Sequence, residues 1–220
     1  MDARETNVKL WDDIYSSSSN GMTYPNDILV RVSHRLLNNE KHKKVLDYGF
    51  GGGADFIHFC KKGFQVSGVE ISESAIEKLT NRLEFMGITP DLKLLTDGRI
   101  PFPDNSFDVV VAWQVLYYND WSGFYAAMKE INRVLRRGGI FLGTMGAIGD
   151  FSHTYSRSLG NNLYESTVPG QEGAIVIILD KDDLSKCFPN EKLTIGEFGY
   201  DFGQYHGKHW IVSYEKGADL

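Results

Sequence analysis

The chain has 220 residues, of which 42% are hydrophobic and 24% are charged, the balance of a folded globular domain. Its net charge of −6 and its scattered basic residues argue against a nucleic-acid partner. No apolar run approaches the ~18 residues of a membrane span or forms a secretory signal, and Cys60 and Cys187 are too few for a disulfide framework. We therefore expect a cytoplasmic protein with no nucleic-acid or membrane partner, and a homodimer is left open.

Residues 1–42 predict an N-terminal helical cap. A first amphipathic helix is expected over residues 6–16, where Val8, Trp11 and Tyr15 share one face. Pro25 suits the first turn of a second helix, whose apolar residues recur every four positions. A region of different texture begins near residue 43.

Residues 43–145 alternate short, strand-like apolar runs with helical patterns. Such alternation indicates right-handed βαβ units. The nearly all-apolar run Phe107–Trp113 suits a strand that is covered on both faces. We therefore predict an α/β fold, Rossmann-like and doubly wound, around a mostly parallel sheet that holds the cofactor-binding core.

Residues 146–173 are rich in Gly, Ser and Asn and show no firm period. Because ordinary connections are shorter, this segment predicts a lid insertion. Residues 174–220 are the expected sheet-closing tail, in which Lys192–Phe198 and Lys208–Tyr214 favour an antiparallel hairpin. The whole is a seven-stranded sheet in a single domain over residues 1–220.

The turn after the first predicted strand contains Asp47, Gly49, Gly51 and Gly53. Glycines accept positive φ and let a ligand approach the backbone, and the following helix points N–H groups at that ligand. The spacing of Gly49, Gly51 and Ala54 fits the loose dinucleotide pattern, so the turn alone does not separate NAD from S-adenosylmethionine. Asp47 favours the second ligand, because a carboxylate repels a pyrophosphate and attracts a cationic amine and a sulfonium.

Separate motifs in a fixed order carry a resemblance to a known family. The turn Asp47–Gly53 is followed by Val69-Glu70-Ile71-Ser72, by Asp97-Gly98, by the segment Ile100–Val110 and by the segment Glu130–Gly139. Together these motifs resemble those of class I S-adenosylmethionine-dependent methyltransferases, in the branch that acts on small molecules. Arg137 departs from a frequent proline of the family at a helix end, which affects little else.

The resemblance implies roles for individual residues. Asp47 and the backbone of Gly49 and Gly51 hold the methionine moiety of S-adenosylmethionine, which Tyr15 and Tyr24 are candidates to reach at its carboxylate. The remaining roles concern the adenosine and the methyl group: Glu70 accepts from the ribose hydroxyls, Ile71 packs on the adenine, Asp97 accepts from the adenine amino group beside Gly98, and Trp113 or Gln114 borders the methyl group.

Methyl transfer is an in-line displacement for which the protein supplies alignment and excludes water. The regions that flank the core are aromatic, as the pocket of a small-molecule acceptor requires, and the expected pocket residues are Trp11, Tyr117, Tyr118, Tyr155 and Tyr164. His153 is the candidate base, since imidazole titrates near neutrality. His206 and His209 fall on opposite faces of a strand, without a cysteine or carboxylate cluster, so no metal site is expected.

The opening Trp11…Tyr15…Tyr24-Pro25-Asn26 resembles that of methyltransferases serving cell-surface sugar pathways, so a sugar or other polar metabolite is the expected acceptor. Two alternatives stay open. An NAD-dependent oxidoreductase would need a hydride-transfer constellation, such as Tyr-x-x-x-Lys in a catalytic setting, which we do not find. A non-catalytic chain would bind the cofactor and pair with an active partner; Glu70 and Asp97 argue against such decay but do not prove turnover.

Overall fold

The computed structural model describes residues 3–17, 23–188, 192–203 and 205–217. The helices are α1 (Ala3–Ser17), α2 (Asp27–Leu36), α3 (Ala54–Lys61), α4 (Glu73–Phe85), α5 (Trp121–Val134), α6 (Phe151–Thr154) and α7 (Lys181–Cys187). The strands are β1 (Lys44–Tyr48), β2 (Gln65–Glu70), β3 (Leu92–Leu94), β4 (Phe107–Ala112), β5 (Leu135–Ala147), β6 (Ser156–Gly160), β7 (Leu163–Ser166), β8 (Ile175–Leu179), β9 (Thr194–Phe202) and β10 (Tyr205–Glu215). Within these ranges, no helix is both long enough and apolar enough to cross a membrane.

Among the described residues, seven strands form the main sheet in the order β3-β2-β1-β4-β5-β10-β9. The first five strands of the chain run parallel, whereas β10 lies antiparallel between β5 and β9. Val109, Val110 and Val111 of β4 are fully buried, because α5 packs on one face of the sheet and α2 and α3 pack on the other. The predicted Rossmann-like, mostly parallel sheet with an antiparallel C-terminal hairpin is confirmed.

The segment 146–173 contains regular structure that its sequence did not indicate. It holds α6 and the hairpin of β6 and β7; β7 then pairs with β8, which joins the end of β5 through Gly146 and Ala147. The hairpin turn explains the composition, because Gly160, Asn161 and Asn162 all adopt positive φ, which glycine and asparagine tolerate best. Three strands are thus added to the seven expected, and the predicted boundary at residue 173 falls between paired strands. The role of this segment as a lid stays a prediction.

Helix α1 lies across the loops that follow β2, β3 and β4. At its start, Arg4 donates to the carbonyl oxygen of Leu95 at 2.7 Å. Further along, Oδ1 of Asp12 accepts from the hydroxyl of Ser72 at 2.7 Å, and the hydrogen bonds of Asp12 hold the pKa of its carboxyl below the usual range. The helix therefore covers the edge of the sheet where the parallel strands end.

Asn7 fixes the middle of α1. Its side chain is buried, and Nδ2 donates to the carbonyl oxygen of Tyr118 at 2.8 Å and to that of Ile175 at 3.3 Å. Oδ1 of Asn7 accepts the backbone N–H of Ile175 at 3.3 Å. One side chain therefore joins α1 to the loop after β4 and to β8.

Helix α2 begins at Asp27, two positions after the proline that was expected in its first turn. Oδ1 of Asn26 accepts the N–H groups of Ile28 and Leu29 at 3.1 and 3.2 Å, which makes Asn26 the N-cap. Pro25 therefore precedes the cap and lies outside the helix rather than in its first turn. The side chain of Asn26 accepts two of the backbone N–H groups that are left free at the start of the helix. A proline in the first turn accepts none of them.

Candidate cofactor and acceptor site

The turn from β1 to α3 passes through Gly49, Gly51 and Gly53, whose φ angles are 73°, 51° and 75°. All three values lie in the left-handed region that residues with a Cβ avoid. A Cβ at Gly49 would overlap Val115, and a Cβ at Gly51 would overlap the hydroxyl of Tyr15. The turn therefore needs glycine both for its backbone conformation and for the closeness of its neighbours.

Glu70, at the end of β2, ties this turn to the next loop. Its Oε2 accepts the N–H of Gly51 at 2.9 Å, and its Oε1 accepts the N–H groups of Ile71 and Ser72 at 2.7 and 3.2 Å. Burial raises the pKa of the Glu70 carboxyl, and these three donors act in the opposite direction. The carboxylate is thereby held rigidly, with lone pairs left for a ligand hydroxyl.

Asp47, at the end of β1, is 3% exposed, and its Oδ2 has no hydrogen-bond partner among the described residues. Burial raises the pKa of its carboxyl well above the usual value, and the neighbouring Asp55 and Glu70 raise it further. A buried carboxylate oxygen without a partner is costly unless a donor or a cation reaches it. Asp47 lies beneath the glycine turn and does not itself line the cavity described next.

A cavity of about 210 Å³ lies between α1 and the ends of β1, β2 and β4. It is lined by most of the residues that the resemblance assigned to the cofactor and by part of the expected acceptor pocket. Those that line it are Gly49, Glu70, Ile71, Asp97, Gly98 and Tyr15, together with Trp11 and Tyr118. The structure thus brings together residues from α1 and from four separate loops at one site.

The residue that borders the cavity after β4 is Gln114 and not Trp113. The Trp113 ring stacks on Phe198 of β9, with ring centroids 5.7 Å apart, within the core on the other face of the sheet. Gln114 adopts a φ of 54°, and its N–H donates to Oγ1 of Thr144 at 2.7 Å. This left-handed bend at Gln114 ends the strand. The side chain of Trp113 lies in the core, whereas Gln114 borders the cavity.

Two tyrosines that the sequence placed near the ligand lie outside the cavity. Tyr24 is 79% exposed and lines no part of it, whereas Tyr15 does line it. Tyr117 is buried behind Tyr118, and its ring centroid lies 4.5 Å from that of its neighbour. Tyr117 therefore supports the cavity wall from behind.

The residues expected from the insertion are likewise not at the cavity. His153 of α6 packs edge-on against Tyr164, with ring centroids 5.3 Å apart, and its Nδ1 accepts the N–H of Gly149 at 3.4 Å. Tyr155 is 43% exposed and packs against Phe151. None of the three predicted residues lines the cavity, and their roles as base and pocket walls stay predictions. Of the three, only Tyr164 belongs to the hairpin, in β7, where it pairs with Val176 of β8.

The histidines of β10 are held separately. His206 lies 3.2 Å from Oγ1 of Thr154, whereas His209 lies inside, beside Tyr117 and Asp150. In the part of the chain that is described, no group of three or more His, Cys, Asp or Glu side chains is placed to hold a metal ion.

The spacing Tyr-x-x-x-Lys does occur once in the helical region, at Tyr125 and Lys129 of α5. Tyr125 is 54% exposed, and neither residue lines the cavity. Neither residue of this pair is therefore positioned to contact a ligand in the cavity.

Several cavity residues escaped the sequence reasoning: Arg4, Asn7, Val115 and Asn119. For Asn7 a signal was present, since it stands one helical turn before Trp11 on an otherwise apolar face. A polar residue on such a face indicates a buried hydrogen bond, which Asn7 makes to Tyr118. For the others the sequence holds no comparable signal.

Comparison with known proteins finds a family model and several relatives that are similar to part of this chain. The family model described as a methyltransferase domain matches residues 45–139, from β1 into β5. The demethylmenaquinone methyltransferase of Tropheryma whipplei is 32% identical over 124 residues, which are 56% of this chain and 48% of that protein. A sterol 24-C-methyltransferase of Gibberella zeae is 36% identical over 120 residues, which are 51% of this chain and 31% of that protein. The chain thus spans half or less of the length of these curated relatives.

The fold is also that of solved methyltransferase structures. The 1,6-didemethyltoxoflavin-N1-methyltransferase of Burkholderia thailandensis, solved with S-adenosylhomocysteine, aligns with a TM-score of 0.69 at 17% identity. The alignment covers 99% of this chain and 91% of that one. The matched family, the ordered motifs and the shared fold agree. Residues 45–139 are thus similar to a methyltransferase domain, and the fold around them is that of an S-adenosylmethionine-dependent methyltransferase structure.

Proposed function

We propose that the chain transfers a methyl group from S-adenosylmethionine to a small molecule in the cavity beneath α1. The observation that carries this proposal is that Glu70, at the end of β2, and Asp97, from the loop after β3, line the same cavity. Gly49 of the glycine turn lines it as well. Two carboxylates at separate loop ends suit the two hydrogen-bonding ends of an adenosine.

The adenosine end of the cofactor fits the residues present. Glu70 would accept from the ribose hydroxyls, because it lines the cavity and its carboxylate is fixed by backbone donors. Asp97 would accept from the adenine amino group; its Oδ1 is already oriented by the N–H of Arg99 at 3.0 Å. Ile71 directly follows Glu70 in the sequence, is half-buried and lines the cavity. It would pack on the adenine ring.

The methionine end fits on electrostatic grounds. The unpartnered Oδ2 of Asp47 belongs to a carboxyl whose burial cost is increased by repulsion from the partly buried Asp55 and the buried Glu70. A ligand that carries an ammonium and a sulfonium lowers that cost. The hydroxyl of Tyr15, close to Gly51, is a donor for the carboxylate of the methionine moiety.

The chemistry follows from alignment. When bound, S-adenosylmethionine supplies an electrophilic methyl group. The protein orients the acceptor against that group and keeps water out by means of α1, and orientation of this kind contributes on the order of 7–11 kcal/mol to reactions between bound partners. The hydrogen bonds of Asn7 and Asp12 hold α1 in this covering position.

The acceptor we propose contains a ring. Trp11 lies edge-on to Tyr118, with centroids 4.8 Å apart, and stacks on Tyr15, with centroids 6.0 Å apart, so three aromatic rings form one wall of the cavity. The relatives named above act on a quinone precursor and a sterol, both ring compounds. A sugar also has a ring, but the exposed Tyr24 weakens the part of the sugar prediction that rested on the chain's opening. A reduced quinone or phenol therefore heads the acceptors to test.

The first experiment measures cofactor binding by calorimetry, with S-adenosylmethionine, S-adenosylhomocysteine and NADH. We expect binding of the first two. In Glu70→Gln the affinity should fall about 10–100-fold, since a charged acceptor is lost. The matched control is Glu77→Gln, an exposed carboxylate of α4, which should leave the affinity unchanged. Tight binding of NADH without binding of S-adenosylmethionine would instead support an oxidoreductase.

The second experiment measures formation of S-adenosylhomocysteine with a panel of acceptors: a reduced naphthoquinone, a simple phenol, a sterol, a methyl hexoside and a primary amine. Turnover of a ring compound supports the proposal. Cofactor binding without turnover of any acceptor would favour the non-catalytic alternative, in which the chain pairs with an active partner.

A further inference from the structure

Gln114 is held in a backbone conformation that its residue type disfavours. Its φ is 54°, in the left-handed region where a Cβ comes too close to the following carbonyl oxygen. Glycine and asparagine accept this region more readily than glutamine does. Backbone strain of this kind persists only where the surroundings fix it, and it concentrates at sites that bind ligands. The strained residue lines the cavity in which the acceptor is proposed to bind.

The surroundings of Gln114 fix the bend from three sides. Its N–H donates to Oγ1 of Thr144 at 2.7 Å, and Thr144, on β5, is 1% exposed. The preceding Trp113 is buried in the core, and the following Val115 occupies the space that a Cβ at Gly49 would need. Since both neighbours and the N–H are anchored, the protein itself sets the position of Gln114 at the cavity.

The side-chain amide of Gln114 is not used by the protein. In the part of the chain that is described, it has no hydrogen-bond partner, and the residue is exposed. Other polar side chains of the cavity are already engaged. Asn7 bonds three backbone groups, and Asn119 donates to a backbone carbonyl oxygen at 3.0 Å. The hydroxyl of Tyr118 donates to Oε1 of Gln171 at 3.1 Å. Gln114 therefore offers a ligand both an amide oxygen and two N–H donors.

Gln114 stands next to the part of the cavity that the proposed function gives to the methionine moiety. Val115, the residue after it, packs against Gly49 of the glycine turn, and all three residues line the cavity. A group that bonds Gln114 is therefore close to the glycine turn, where the cofactor is proposed to carry its methyl group.

The residues around Gln114 favour a neutral oxygen group over a charged one. The amide is uncharged, Val115 beside it is apolar, and Trp11 and Tyr118 present aromatic rings. A carboxylate would be repelled by Glu70, which lines the same cavity, and a cationic amine would be repelled by the sulfonium of the cofactor. A hydroxyl group suits the amide, because it can donate to Oε1 or accept from Nε2.

We propose that Gln114 selects the acceptor by hydrogen bonding a neutral hydroxyl group on its ring; this inference rests on the proposed methyl transfer. Gln114 is a specificity residue, because it contacts the acceptor and exchanges no proton with it. Thr144 acts through Gln114 as a positioning residue. The acceptor class is thereby narrowed from ring compounds in general to aromatic compounds that carry a hydroxyl.

The first test compares two probes that differ by one hydroxyl, 2-naphthol and naphthalene. Their dissociation constants are measured by ligand-observed NMR with the protein saturated with S-adenosylhomocysteine. Gln114→Met keeps an unbranched side chain of the same length but lacks the amide. In this variant the ratio of the two constants should shift about 3–10-fold in favour of naphthalene, which is the usual contribution of one hydrogen bond. Because both probes are measured in the same variant, a change in cavity packing affects both and largely cancels.

The role of Thr144 is tested through the same ratio. Thr144→Val removes the oxygen that accepts the N–H of Gln114, so the ratio should shift in the same direction. Thr144→Ser keeps that oxygen and should restore the preference for 2-naphthol. The matched control is Gln65→Met, at an exposed glutamine of β2 outside the cavity, which should leave the ratio unchanged.

A second measurement separates a role in binding from a role in folding. Gln114→Gly removes the amide and also relieves the left-handed backbone, so its midpoint of urea denaturation should not fall, whereas the preference for 2-naphthol should be lost. Asn161→Gly, at a φ of 51° in the β6–β7 turn, is the control for the backbone effect and should keep that preference. A lower midpoint in Gln114→Gly would show that the glutamine serves the fold and would contradict the proposal.

Three further results would overturn the inference. One is an equal ratio in the unaltered protein and Gln114→Met, and another is a failure of the unaltered protein to bind 2-naphthol. The third is a loss of affinity for S-adenosylhomocysteine in Gln114→Met, which would assign the amide to the cofactor. If the unaltered protein does not bind S-adenosylmethionine by calorimetry, the proposed function fails, whereas the ratio of the probes, measured without S-adenosylhomocysteine, still reports on Gln114.

Discussion

The hydroxyl of Tyr15 lies against Gly51, at the position where any other residue would carry its Cβ. Gly51 also donates its N–H to Glu70 at 2.9 Å, so helix α1, the glycine turn and the end of β2 meet at one residue. Burial raises the pKa of Tyr15, and the nearby Glu70 raises it further, so its hydroxyl keeps its proton and remains a donor. The packing of α1 on the core therefore requires a glycine at position 51.

Gly51→Ala should destabilise the protein by roughly 2–4 kcal/mol, because it combines a left-handed backbone with overlap at Tyr15. Urea denaturation measures this. Gly87→Ala is the matched control: its φ is 70°, but nothing lies within 4 Å of the added Cβ, so only the backbone cost of about 1 kcal/mol should appear. Equal losses in the two variants would show that the Tyr15 contact carries no energy.

Asp47→Asn should stabilise the cofactor-free protein at pH 7 by roughly 1–3 kcal/mol, since it removes an unpaired buried charge. The pKa of Asp47 is raised, so the cost of its charge appears as the pH rises through the folded pKa, and the gain from Asn should vanish at low pH. The same change should weaken binding of S-adenosylmethionine about 10-fold or more. Denaturation at several pH values and calorimetry measure the two effects. A variant that loses stability at pH 7 would contradict this interpretation of Asp47.

Asn7→Ala should release α1. The buried Nδ2 of Asn7 bonds the carbonyl oxygens of Tyr118 and Ile175, and those groups would lose their partner, at a cost of roughly 1–3 kcal/mol. We expect faster proteolysis within α1 and weaker cofactor binding, with the sheet intact by circular dichroism. Lys9→Ala, at an exposed position of the same helix, should change neither property.

The stability of the protein should depend on His209 below neutral pH. The pKa of His209 in the folded protein is lowered from the usual value of 6.5. At a pH below 6.5 the unfolded protein therefore binds a proton on this residue more readily than the folded protein does. The free energy of unfolding consequently falls as the pH falls below 6.5. The difference in unfolding free energy between the unaltered protein and His209→Gln should therefore shrink from pH 7.5 to 5.5. The buried acids with raised pKa act in the opposite direction, but they are common to both proteins and cancel. A difference that is constant with pH would show that His209 keeps its usual pKa.

The fold was predictable because each level of the sequence agreed with the next. The apolar run of β4, the glycines after β1 and the capping serine of α4 all point to the same βαβ order, and the structure follows it. The cofactor side of the cavity was predictable for the same reason, since Glu70 and Asp97 stand at strand ends, where parallel sheets bind ligands.

The acceptor side was not predictable, because it depends on contacts far apart in the chain. Tyr117 and His209 are 92 residues apart in sequence, and nothing local to either indicates their meeting. The choice between Trp113 and Gln114 could not be made from the sequence, because Gln114 adopts a left-handed bend that a glutamine rarely adopts. The hairpin of the insertion could not be predicted, because its first strand is polar and has no alternating pattern.

The position of β10 has a consequence for synthesis of the chain. This strand follows β9 in sequence, yet it lies inside the sheet, where His209 pairs with Gly146 and Glu215 pairs with Ile140. While a ribosome is still making β10, most of β5 has an open edge, which is the kind of surface that attracts wrong partners. Insertion of β10 closes that edge and, in the same step, brings His209 to Tyr117. A nascent protein therefore lacks the contact between His209 and Tyr117 until its central sheet is complete.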